Sequence, residues 1–134
     1  MSDPIALVTD EDISYEEFLD FLRDYGAMLL NPYEGFDGQL VRDGNDVWIA
    51  YDNELRELEP DRIAEAARVL GAQPRVQLIL EISRAPGSEG LAIEFAHHFA
   101  QRWNCLIDNC RSTPDAKLYT RHEILAIGDG RARL

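Results

Sequence analysis

The chain has few cysteines, almost no lysine, and none of the short motifs that announce a chemistry. Its two cysteines, Cys105 and Cys110, have four residues between them; they make neither a disulfide framework nor a complete metal site, so two reduced, buried thiols are expected. One lysine stands against twelve arginines, a bias that reads as GC-rich coding and says nothing of chemistry. No stretch reaches the 18 or so apolar residues of a spanning helix, and Met1-Ser2-Asp3-Pro4 is acidic where a secretory signal is basic. A soluble, cytoplasmic protein with no membrane partner is therefore expected. The glycine pairs Gly35-Phe36-Asp37-Gly38 and Gly87-Ser88-Glu89-Gly90 have neither the spacing nor the lysine of a phosphate-binding loop. The sequence contains no nucleophile elbow, His-Glu-x-x-His or Cys-x-x-Cys. A dyad of Cys105 or Cys110 with His122 stays open, because such partners meet only in the fold.

What the chain does have is a lopsided charge. Residues 1–59 hold 16 acids and three arginines, a net of −13, while residues 60–134 hold nine acids and ten bases, a net of +1. Like charge gathered on one side costs a compact fold stability through self-repulsion, whereas an oriented negative field draws in a cationic partner. The asymmetry thus points to a binding protein for a basic partner. It disfavours nucleic acid, whose phosphates need a basic surface. At 134 residues and 46% apolar, the chain suits one domain spanning 1–134, with residues 128–134 expected to fray.

The patterning places the elements. Ile5 to Thr9 reads as a buried strand. Ser14 and Glu17 form a capping box, and Ile13 and Phe18 stand at the staple positions of a first helix whose apolar face is Phe18, Phe21, Leu22 and Tyr25. A loop follows over residues 26–38 after the short apolar Met28-Leu29-Leu30. Gln39 to Arg42 and Val47 to Tyr51 form a hairpin across Asp43-Gly44-Asn45. Pro60 opens a second helix with Ile63, Ala66, Ala67 and Leu70 as its buried face and Gly71 as its stop. Val76 to Ile82, apolar on both faces, reads as a central strand. A third helix spans about Ser88 to Trp103, a short strand Cys105 to Asp108, and an apolar segment of open type His122 to Ile127. The order strand, helix, strand, strand, helix, strand is that of the ferredoxin-like split βαβ unit. The expectation is an α+β sandwich of that kind with an added helix and strand, its helices mainly on one face of the sheet.

The candidate partner-binding residues lie in the acidic half. Asp10, Glu11 and Asp12 precede the first helix, where its dipole tolerates negative charge. Glu16, Glu17, Asp20 and Asp24 share a helix face apart from the apolar one. Glu34 and Asp37 are positioned to pair with cationic side chains of a partner, and Tyr15, Tyr33 and Phe36 are suited to serve as aromatic anchors. The bland reading makes Tyr33 and Phe36 plugs at the core edge. Trp48 and Trp103 are read as core. Glu94, His97 and His98 reproduce one Glu-x-x-His step of a carboxylate metal site, but no second copy exists, so a solvated helix face is expected, with no metal and no cofactor.

The third helix and the strand after it also carry a likeness. Ser88-Glu89-Gly90-Leu91-Ala92, Phe95-Ala96, Phe99-Ala100 and Arg102-Trp103, followed by Leu106-Ile107-Asp108, resemble a segment of small immunity proteins from bacterial polymorphic toxin systems. The likeness covers residues 76–109 and carries over no binding residue. It implies a cytosolic, non-enzymatic protein that binds and blocks one cognate basic toxin or effector domain. Two alternatives stand beside it: a small ferredoxin-like enzyme or ligand-binding domain with an unlocated site, and a subunit of a larger assembly.

Overall fold

A computed structural model describes residues 3–31, 35–56, 58–111 and 115–128. The chain runs β1 (Asp3–Thr9), α1 (Tyr15–Tyr25), β2 (Met28–Leu29), β3 (Gly38–Arg42), β4 (Asn45–Asp52), α2 (Pro60–Leu70), β5 (Val76–Ile82), α3 (Ser88–Arg102), β6 (Cys105–Asp108), β7 (Leu118–Tyr119) and α4 (Arg121–Gly128). The strands form a seven-stranded sheet in the order β2-β3-β4-β5-β1-β6-β7, antiparallel at every pairing.

The class is α+β, but the strand order is not that of a split βαβ unit. There, two strands joined through a helix run parallel with one strand between them. Here α1 leads from β1 to the short β2 at the end of the sheet, with β5, β4 and β3 between them, while β4 and β5, joined through α2, are direct antiparallel neighbours. Burial supplies the reason. β1 offers Ile5 and Leu7 to one face and Ala6 and Val8 to the other, all buried, so it gains most at the sheet's interior beside the equally apolar β5.

The main core lies between one sheet face and α1, α3 and α4. Phe18, Phe21 and Leu22 of α1 meet Phe95, Phe99 and Trp103 of the α3 region, with Phe21 at 5.0 Å from the Trp103 ring and 5.6 Å from that of Phe95. The capping box holds α1 at its start: Glu17 N donates to Ser14 Oγ at 3.1 Å and Ser14 N to Glu17 Oε1 at 3.2 Å. Gly26, at φ 96°, ends it. The β3–β4 hairpin closes through Asp43 and Gly44, both at positive φ, with Asn45 already paired to Arg42 in the ladder.

Two open segments take a form and two local expectations change. Met28 and Leu29, read as a short apolar segment ahead of the loop, form a short strand on β3. The open segment at 122–127 is helical, because Thr120 and Glu123 make a second capping box and Arg121 donates to the carbonyl of Ala100 at 2.6 Å, satisfying the end of α3. Helix α2 packs on the opposite sheet face, over Ala6, Val8 and Leu106, and buries only Ala66 fully; Ile63, Ala67 and Leu70 are half-buried. Cys105 is buried as expected, but Cys110 is exposed, since it sits past the end of β6. Residues 129–134 of the expected tail lie outside the described residues.

Candidate functional site

Helix α1 is fixed by its apolar face, which leaves its acids to point away. Glu16, Glu17, Asp20 and Asp24 are all exposed. Glu17 is occupied with the cap, and Asp20 pairs with Arg23 on its own helix. Glu16 and Asp24 enter no ion pair among the described residues. Asp12, also exposed, lies 3.5 Å from Arg75.

The two acids before Asp12 serve the fold. Asn104, in the turn between α3 and β6, donates its backbone N–H to Glu11 Oε2 at 2.6 Å and its side-chain amide to Asp10 Oδ1 at 3.0 Å. Thr9 donates to the Asn104 carbonyl at 2.5 Å. Asp10 and Glu11 thereby fasten the start of α1 to the far end of α3.

Of the loop residues, Tyr33 and Glu34 lie outside the described residues. Asp37 is a tie: Oδ1 accepts from Tyr15 Oη at 2.8 Å and Oδ2 from the backbone N–H of Tyr51 at 2.7 Å. Burial and the bond to Asp37 push the Tyr15 phenol up to about 12. Phe36 lies on the other side of the chain, its ring 6.5 Å from that of Trp48.

Trp48 is not in the core. It alternates with Val47 and Ile49, both fully buried under the helices, and so faces the other side of the sheet, where it is half-buried. In register it sits between Gln39 and Glu81, with Met28 beyond Gln39. The next row on this face is Ala50, Ile79 and Ala6. Neither core contains Met28, Phe36, Val41, Trp48 or Ile79. The β-period shows that Trp48 and Val47 part company, but it cannot say which face the helices cover.

Where α2 begins, this face dips into a basin of about 560 Å³ floored by Ala6 and Ile79. Its walls carry four acids and two arginines. One arginine is already taken: Arg62 Nε donates to Asp108 Oδ2 at 3.1 Å and its Nη2 to Oδ1, with Asp108 almost fully buried. Glu59 and Asp61 stand at the basin's rim where α2 begins.

The Glu-x-x-His step has no metal-site character among the described residues. Glu94 binds the guanidinium of Arg42 at 2.6 and 3.2 Å, and that bond holds its carboxyl below its ordinary range. Glu94, His98 and Gln101 are exposed and His97 is half-buried with its Nδ1 buried, so the face is largely solvated, while the His98 ring lies 5.4 Å from Phe21 and 5.1 Å from Tyr25. Burial pushes the Cys105 thiol up to about 12, which removes it as a nucleophile at neutral pH. Comparison of the chain with protein-family models, curated proteins and solved structures gave no match.

Proposed function

We propose that the protein is a non-enzymatic binding protein, an inhibitor or immunity protein that blocks a cognate basic toxin or effector domain in the cytoplasm. The observation that carries this reading is the outward face of α1, where Glu16, Asp20 and Asp24 stand exposed on a helix whose cap and apolar anchor do not need them. Such a stripe stands in for the phosphates that the cationic cleft of an effector holds, and it speeds encounter by steering. A second reading, a small-ligand domain, has the basin beside Arg62 and Asp108 in its favour.

The test is the association rate with a partner recovered from the source cell. Reversing Glu16, Asp20 and Asp24 to Lys should leave folding intact and slow association strongly, with dissociation changed less. Raising salt should act the same way, as the screening length falls from about 30 Å at 0.01 M to about 8 Å at 0.15 M. Reversal of the exposed Glu65, Glu89 and Asp115 controls for net charge. Equal losses from both triple variants would remove α1 as the site.

A further inference from the structure

The sheet face turned away from α1, α3 and α4 is only partly roofed, since α2 lies over Ala6, Val8 and Leu106 at the β1–β6 side. The start of α2 reaches β5 only at the basin beside Gln77 and Ile79, and neither core cluster takes in the residues of β3 and β4 on this face. We propose that this uncovered part, centred on Trp48, is a second docking surface for a basic protein, which lays an arginine or lysine side chain over the indole.

Indole is the best aromatic acceptor of a cation, and Trp48 presents its ring on an open sheet rather than in a core. Carboxylates flank it on the same face. Glu81 is its cross-strand neighbour, and Asp46, two residues earlier on β4, is held by the Gln39 amide at 3.1 Å. Val41, more than half exposed, Ile79 and the Phe36 ring give the aliphatic stem of such a side chain an apolar bed. The basin continues the surface past Ile79, with Glu59 and Asp61 at its rim.

Charge selects the occupant. A second copy of the chain would bring two acidic faces together at a net charge of −12 each, and a nucleic acid would meet carboxylates. The partner's basic character rests on the function proposed above, but the face is a different one. The two surfaces meet at the sheet margin: Asp37 bonds Tyr15 of α1, and Phe36, the preceding residue, reaches Trp48.

The experiment is an NMR titration of the ¹⁵N-labelled protein with an octa-arginine peptide, with octa-glutamate as control. The Trp48 indole N–H is identified by its loss in Trp48→Phe. Expected are shifts of that indole and of the Gln39, Ile79 and Glu81 amides, and a loss of peptide affinity of about two- to fivefold in Trp48→Ala. Asp46→Asn with Glu81→Gln should weaken binding without touching the ring, which keeps the test decisive if Trp48→Ala unfolds. Shifts confined to α1, with the sheet-face variants unchanged, overturn this inference and leave the α1 reading standing. Sheet-face shifts that persist when Glu16, Asp20 and Asp24 are reversed uphold this surface and count against α1. No shift at either place defeats both, and a dimer in sedimentation that buries Trp48 makes the occupant a second copy and overturns the proposal.

Discussion

The Tyr15 hydroxyl donates to Asp37 at 2.8 Å, and through the other oxygen of that carboxylate helix α1 is joined to the backbone of β4 at Tyr51. The rings of Tyr15, Phe18 and Tyr51 gather above the tie, with Tyr15 and Tyr51 5.4 Å apart. Removing the carboxylate leaves the Tyr51 N–H without its acceptor in a half-buried place. Asp37→Ala should therefore cost about 1–3 kcal/mol in urea unfolding. A variant as stable as the parent would show that the tie contributes nothing.

Two phenols contribute to the alkaline limit, beside Tyr51 and the buried Cys105 thiol, which burial also raises. Tyr15 is pushed up to about 12 by burial and by Asp37, and Tyr25 to about 12 by burial and by Glu94. An unfolded tyrosine releases its proton near 10. Stability from this source is thus intact below about pH 10 and is lost as the pH climbs toward 12. Denaturation curves taken across that window should steepen their decline in the parent and decline less when both residues are changed to Phe, the remainder belonging to Cys105 and Tyr51. An unaltered slope in the double variant would place the sensitivity elsewhere.

The Arg62–Asp108 pair makes a sharper prediction, because its carboxylate is buried and also accepts from Cys110 N at 2.8 Å. Taking away one partner strands a charge in a place with little water. Arg62→Ala or Asp108→Ala should each cost about 3–5 kcal/mol, and the double variant less than their sum. Additive losses in that cycle would mean the two side chains act independently.

Aromatic truncations should separate fold from surface. Phe21 packs on Phe95, Phe99 and Trp103, so Phe21→Ala should cost about 3–5 kcal/mol. Phe36, outside both cores, should leave Tm within a few degrees when changed to Ala while weakening the partner. Thermal melts showing equal damage from both would make Phe36 part of the core.

Much of the scaffold can be read from residues whose signals are local. Ser14 and Glu17 announce α1, Asp43-Gly44 the hairpin, and the two apolar faces of Val76–Ile82 a central strand, and all three are as expected. Thr120 and Glu123 carry the same capping signal as Ser14 and Glu17, and it marks the start of α4. Strand order was not legible, since the succession of strands and helices is shared by arrangements that differ in which strands touch. Nor was the position of Trp48, because alternation divides β4 into two faces without showing which of them three helices will cover. The roles of Asp10, Glu11 and Asp37 were hidden for a related reason: their partners, Asn104 and Tyr51, are distant in sequence.

The outermost described strands, β2 and β7, are two residues long. A strand so short offers a neighbouring molecule almost no ladder to extend, so sheets from different molecules have little means of joining side by side. Aggregation by that route is blunted at both margins, and the negative charge of the chain opposes what remains. An exposed Val41 and a half-buried Trp48 on the open sheet face are thus kept from seeding fibre growth by the strand margins on either side.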